Sequence, residues 1–193
     1  MSKLVNVEDY RRLARRRLPK IVFDYLEGGA LDELTLRSNV EDLQALRLQQ
    51  SILCDVSAVR LERTVLGARL RNPVLISPMG LLSLFHRDAD VAMARAAQAA
   101  GTVFIHSAWS GTPLREVAAA APGSVWAQLS MWKHARLTEE HIARAEAAGV
   151  EVLVLAGDVS VSSKRERDLH NGFGMTAIRT LRGALNAVRN RAG

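Results

Sequence analysis

Four short apolar runs in the chain end in residues able to touch a ligand. PVLIS (73–77) leads into Pro78, Met79 and Gly80, and TVFIHS (102–107) ends in Ser107. SVWAQLS (124–130) carries Gln128 and Ser130, and VEVLVLAGD (150–158) ends in Asp158. Open α/β sheets and closed barrels both bind ligands at the carboxyl ends of their strands. Pro78 and Gly80 let backbone groups approach a flat ligand, Ser107 offers a hydroxyl, and Gln128 offers both a donor and an acceptor. Strand ends are rich in turn residues in any case, so spacing alone leaves an ordinary turn as an equal reading. Downstream, Lys164-Arg165-Glu166-Arg167-Asp168 reads either as a solvated charge run or as a place where Arg165 grips a carboxylate with two parallel hydrogen bonds. Tyr25, inside an otherwise apolar helix, is either a core aromatic with its hydroxyl at the edge or a phenol that reaches a ligand.

Other chemistries lack their residues. No G-x-G-x-x-G or Walker A pattern is present, and Gly28-Gly29 closes a helix rather than following a strand. The histidines at 86, 106, 134, 141 and 170 never pair four apart around an acid, and no cysteine spacing suits zinc, so no metal site is expected. No G-x-S-x-G elbow offers a serine nucleophile.

The elements that must position these residues come in two styles. Residues 7–45 read as helical, with Val7, Tyr10, Leu13 and Ala14 at helical spacing, Pro19 opening a second helix, Gly28-Gly29 closing it and a third helix from Asp32. An irregular stretch follows to about residue 70. From there the four apolar runs alternate with the alanine-rich helical patterns ADVAMARAAQAAG, PLREVAAAAPG and TEEHIARAEAAGV. Buried parallel strands with crossover helices fit this rhythm, giving an α/β class with about four βα units. An open doubly wound sheet and a closed (β/α)8 barrel both accept it. A whole barrel takes about 250 residues, so on length four units after a helical preface match half of one. The expected divisions are helices and connecting segment over 1–70, a partial barrel over 71–175, and a basic amphipathic tail over 176–193.

Composition narrows the setting. Of 193 residues 48% are hydrophobic, enough for a real core, and the 26 Lys and Arg against 20 Asp and Glu leave a formal charge of +6. The basic residues gather at Arg11 to Lys20 and at Arg179 to Arg191, which suits anionic surfaces. A lone Cys54 rules out an internal disulfide, and the opening residues lack the apolar core of a secretory signal. The stretch 96–114, the longest without Asp, Glu, Lys or Arg, contains Gly101, Ser107, Gly111 and Pro113 and makes a poor membrane span. A cytoplasmic location, with contact at the inner face of a membrane through the basic tail, is the expectation; an incidental frayed tail is the other reading of that segment. No interleaved aromatics or recognition motif supports nucleic acid as a partner.

Taken together, LPKIVFDYLEGGALDELTLRSN, LGARLRNPVLISPMG, AAGTVFIHSAWS, WAQLSMWK and RERDLHNGF resemble the FMN-dependent 2-hydroxy-acid dehydrogenase/oxidase family, in its order and spacing over nearly residues 5–175. YLEGGALDE and RERDLHN look most like the (S)-mandelate and L-lactate dehydrogenase branch. The resemblance implies a (β/α)8 TIM barrel, FMN as cofactor, and oxidation of a small 2-hydroxy acid to the 2-oxo acid by hydride transfer to the flavin. It also implies that Tyr25 and Arg165 contact substrate, that Pro78, Met79 and Gly80 line the flavin through backbone, that Ser107 and Gln128 contact it by side chain, and that Asp158 is structural.

The chain departs from that pattern in places. Ser130 stands where the family has a substrate-contacting Tyr, Ala156-Gly157-Asp158 replaces Thr-Val-Asp or Thr-Thr-Asp, and Gly172-Phe173 replaces Arg-Phe. The family's base, a His in Ser-Asn-His-Gly-Gly-Arg, its flavin-side Lys and its phosphate site have no counterpart in these residues, so no catalytic residue is assigned. The expected activity is therefore the family's oxidation, with this chain incomplete for catalysis and associating with itself or with a missing C-terminal half. A non-catalytic module keeping a residual flavin or organic-acid pocket, and a basic protein acting at a membrane surface, are the other readings.

Overall fold

The computed structural model describes residues 3–158 and 161–174. The basic tail expected over 176–193 lies outside the described residues. The chain divides into two compact units, one built from the residues up to Ile52 together with those from Val161 onward, the other from Leu53 to Asp158.

The first unit is helical. Helix α1 (Val7–Arg17) starts in a capping box, with Asp9 N donating to Asn6 Oδ1 at 2.9 Å and Asn6 N to Asp9 Oδ2 at 3.3 Å. Helix α2 (Lys20–Glu27) follows Pro19 and stops at Gly28, where a Cβ would lie 2.8 Å from the Asp24 carbonyl oxygen. Helix α3 (Leu34–Ala45) begins two residues later than Asp32, because Glu33 takes a left-handed conformation (φ 58°) and forms the cap. Helix α7 (Glu166–His170) returns to this unit, where Leu31 N donates to the Lys164 carbonyl at 2.9 Å and Asn171 Nδ2 to Asp24 Oδ2 at 2.7 Å.

The second unit is a parallel sheet with helices on one face. Strands β3 (Phe104–His106), β4 (Val125–Ser130) and β5 (Leu153–Ala156) lie in the order β3-β4-β5, all parallel, linked by α5 (Leu114–Ala120) and α6 (Ala135–Ala147), with α4 (Ala89–Ala100) before them. Alternate residues face opposite sides. Phe104, Val125 and Ala127 pack into one core with Ala94 and Ala97 of α4, Val117 of α5 and Ala145 of α6. Val103, Ile105 and Trp126 face the other way, where the antiparallel hairpin β1 (Arg63–Val65) and β2 (Ala68–Leu70) covers them with Leu70, Val65 and Ala68.

Two expectations change here. The run PVLIS is not a strand; Ile76 makes one parallel bridge to Phe104, with Ile76 N to the Val103 carbonyl at 2.9 Å and Ile105 N to the Ile76 carbonyl at 3.0 Å. Pro73 and Pro78 bracket the run and cannot donate to a ladder, which confines pairing to its middle. The stretch read as irregular holds the hairpin, whose two-residue turn places Leu66 at φ 47° and Gly67 at φ 84°, the conformations that match strand twist.

Strand β5 has no partner on its second edge among the described residues, and Leu153 and Leu155, on the helix side with Ala127 and Leu129, are 39% and 60% exposed. The two faces should therefore respond differently to truncation. Leu70→Ala is expected to lower the unfolding free energy by about 2–5 kcal/mol, and Leu155→Ala by about 0.5 kcal/mol or less. Urea unfolding of the two variants checks this, and equal losses would contradict the burial pattern.

Candidate active site

Strand alternation carries the second face of the sheet upward into polar residues. Ser107 follows Ile105 on that face, and Gln128 and Ser130 follow Trp126. Ser107 and Gln128 are 4% and 5% exposed, and Ser130 is half-buried. Gln128 binds in two directions: its Oε1 accepts from Ala108 N at 2.9 Å, and its Nε2 donates to Ser130 Oγ at 2.9 Å. Ser107 Oγ accepts from Trp109 N at 3.1 Å. The loop after PVLIS joins this group, since Leu81 N donates to the Trp109 carbonyl at 3.2 Å and a Cβ on Gly80 would lie 3.1 Å from Trp109 Cβ and 3.9 Å from Ser107 Oγ. Pro78 is half-buried and Met79 is 43% exposed. The structure thus brings Gly80, Ser107, Gln128 and Ser130 together, with Pro78 and Met79 on the loop that carries Gly80. Ser130 was read as the loss of a phenol; here its small hydroxyl accepts from the Gln128 amide and fixes that amide's orientation.

The remaining two candidates meet in the helical unit. Arg165, just ahead of α7, donates through Nη2 to the backbone carbonyl of Tyr25, and its guanidinium carbon lies 4.9 Å from the centre of the Tyr25 ring. Asp168 pairs with Arg165 Nε at 2.7 Å, and Phe173 stacks on the other partner, its ring 4.4 Å from that of Tyr25 at 19°. A guanidinium held against an aromatic ring and oriented by one carboxylate still has N–H groups to offer a second. The segment 164–168 is divided in use: Arg167 pairs with Glu33 at 2.5 Å, Lys164 with Glu166 at 2.8 Å, and Arg165 with Asp168. The hydrogen bond from the Gly29 amide, with Arg167 nearby, lowers the Glu33 carboxyl below its ordinary range, and Lys20, then Asn171, do the same for Asp24.

Sequence reading missed a third group, on the helix side of the sheet. Asp90 of α4 is 0% exposed, and its Oδ2 accepts from Thr112 Oγ1 at 3.1 Å. His106, 4% exposed, donates through Nε2 to the Thr112 carbonyl at 3.1 Å, with Asp90 Oδ1 at 4.0 Å from the same nitrogen. A carbonyl only accepts, so the Nε2 proton is fixed by its partner. No pattern in the chain links positions 90, 106 and 112, and an acid in the first turn of a helix reads as dipole pairing. A cleft of about 780 Å³ opens beside this group, with His106, Thr112, Arg115, His141 and Arg144 in its wall; of the seven candidate residues Ser107 alone lines it. Among the described residues no cluster of His, Cys, Asp or Glu could hold a metal, and no helix is long and apolar enough to cross a membrane. Asp158 is exposed just beyond β5.

Comparison with known proteins agrees on one family. The family model described as FMN-dependent dehydrogenase matches residues 14–193. Glycolate oxidase 5 of Oryza sativa subsp. japonica is 37% identical over 182 residues, 94% of this chain and 49% of its own length. (S)-Mandelate dehydrogenase of Pseudomonas putida is 43% identical over 172 residues, 89% of this chain and 44% of its own. The crystal structure of a soluble mutant of that membrane-associated enzyme superposes with a TM-score of 0.83, at 43% identity, over 89% of this chain and 49% of the other. A mandelate oxidase structure gives 0.84 at 34% identity, over 90% and 50%. The chain spans about half the length of the relatives it matches.

Burial pushes the His106 imidazole below its ordinary value of 6.5, against the opposing pull of the Asp90 carboxylate from α4 and the Thr112 carbonyl, and with a further downward push from His141 of α6. The unfolded chain therefore takes up this proton first as pH falls. Stability from the neutral imidazole is complete above pH 6.5 and is lost as pH falls from there through the lowered folded value. The slope in that window reaches at most about 1.4 kcal/mol per pH unit for one proton. Urea unfolding at about pH 7.5 and 5.5 should show a larger loss for the natural chain than for His106→Gln, and equal losses would contradict the assignment.

Proposed function

The chain belongs to the FMN-dependent dehydrogenase family, and on that premise we propose that it supplies the first half of a (β/α)8 barrel enzyme that oxidises a small 2-hydroxy acid of the mandelate or lactate type to the 2-oxo acid. FMN, when bound, supplies the acceptor for the hydride that leaves the α-carbon of the substrate.

The polar ends of the strands fit that cofactor. A flavin presents a flat face and an edge of alternating acceptors and donors. Ser107 and the second N–H of the Gln128 amide would hold that edge, while the backbone of Pro78, Met79 and Gly80 would line the flat face. Gln128 is set for this work before any ligand arrives, because Ala108 N and Ser130 Oγ fix which end of its amide is oxygen and which is nitrogen. Gly80 keeps its loop thin, since a side chain there would press on Trp109.

Arg165 would bind the substrate carboxylate. This is the observation that carries the reading: a half-buried guanidinium laid over Tyr25 and anchored by Asp168 is an oriented receptor for a planar anion, with entropy already lost in the free protein. Tyr25 serves as the platform, and its phenol would add a contact to the same carboxylate. No group among the described residues is assigned as the base that takes the hydroxyl proton, a task that needs hydrogen-bond reach to the substrate. We therefore take the chain as incomplete for turnover and completed by a polypeptide bearing the rest of the barrel, with self-association as the competing arrangement. The edge of β5 that is unpaired among the described residues, and the exposed Leu153 and Leu155, support such an association. The basic residues of 176–193 support contact with an anionic membrane surface at the cytoplasmic side.

Titration of the chain with FMN should give saturable quenching of flavin fluorescence. Anaerobic mandelate or lactate should then shift the oxidised flavin spectrum without bleaching it, and Arg165→Met should weaken that response about tenfold or more, with Arg165→Lys between. No saturable FMN binding would overturn the flavin reading. Bleaching by substrate would overturn the incompleteness.

A further inference from the structure

The buried group on the helix side of the sheet has no part in the function above, yet it is costly. Asp90 Oδ1 and His106 Nδ1 are both shielded from solvent without a hydrogen-bond partner among the described residues. An acid and an imidazole buried together are seldom better for stability than apolar residues of the same size. Their contacts show what they hold. Both bonds end on one residue, Thr112, taken at its hydroxyl by Asp90 and at its carbonyl by His106. Thr112 N in turn donates to Ser110 Oγ at 3.0 Å, and Ser110 N to the Ser107 carbonyl at 3.0 Å. Ser107, Ala108 and Trp109 are the residues knitted to Gln128 and to the loop bearing Gly80. The segment 107–113 is thus tied on the flavin side by Gln128 and at its far end by Asp90 and His106.

We propose that Asp90 and His106 are positioning residues which, acting through Thr112, hold the 107–113 loop in the one placement that keeps Ser107 and the Ala108 and Trp109 amides beside Gln128. Its consequence for cofactor binding rests on the FMN reading given above; the bracing itself does not. Loss of the brace frees the loop and leaves the strands intact, because Phe104 and Ala127 keep their own ladder bonds and core packing.

Amide hydrogen exchange of the full chain, read residue by residue, separates the two. In His106→Phe the Ala108 and Trp109 amides should exchange about tenfold faster or more, while Phe104 and Ala127 keep their protection. His106→Gln, whose amide can still donate to the Thr112 carbonyl, should restore protection to within about twofold. Thr112→Val, which removes the bond to Asp90 at nearly constant volume, should loosen the same two amides and provides the reading if His106→Phe does not fold. FMN affinity, measured on the same proteins, should fall in parallel with loop protection. Unchanged exchange at Ala108 and Trp109, or an equal rise throughout β3 and β4, would overturn the brace. Failure of the natural chain to bind FMN, with the exchange pattern as expected, would instead overturn the flavin reading and leave the brace standing.

Discussion

A parallel strand has to be covered on both faces, and most of the second unit follows from that constraint. Crossover helices α4, α5 and α6 cover one face. The hairpin β1–β2 covers the lower part of the other with Leu70, and so leaves the upper part of that face to residues which need not be apolar. That division makes room for Ser107, Gln128 and Ser130. It also sorts the two neighbours His106 and Ser107 into separate environments, one among alanine-rich helices and the other among the polar strand ends, by the two-residue period of the strand alone.

The helical unit is held in a different way. Its helices bury few side chains, with Val22 the fully enclosed one of α2, and α1 and α3 bury none. Ion pairs and side-chain hydrogen bonds fill the gap: Glu27 with Arg11, Asp24 with Lys20 and Asn171, Glu33 with Arg167. Exposed pairs of this kind each contribute little, on the order of 0–1 kcal/mol, and are screened by salt. The Tyr25, Arg165 and Phe173 stack is therefore placed by a network whose strength depends on ionic conditions, in contrast to the Ser107 and Gln128 group, which sits on a packed apolar core.

Much of this was legible in the chain. Pro19 and Gly28 mark the limits of α2 because each acts through local geometry, and the runs that became β3 and β4 are recognisable since strands buried on both faces leave unbroken apolar stretches, a composition that the run of β5 shares. The hairpin was not legible: its strands are three residues long, half of those residues are exposed, and its turn puts a leucine rather than a glycine or asparagine at the first left-handed position. PVLIS has the composition of a strand but too little of it lies between prolines to form one. Candidate site residues could be named because strand ends are where ligands bind and because several motifs matched a family at once. Asp90 with His106 and Thr112 could not, since their association depends on the packing of α4 against β3, a relation no spacing records.

The order of the sheet bears on how the chain is made. Each strand pairs with the one that precedes it, β4 on β3 and β5 on β4, so the sheet can be laid down in the direction of synthesis, one crossover at a time. Every intermediate on such a route has one freshly exposed edge, and the closing of each crossover loop is the slow event because its entropy must be given up before the strand contacts form. Leu153 and Leu155 are the side chains left showing at the most recent edge. An apolar edge of this kind, held still during synthesis, is the kind of surface that chaperones recognise.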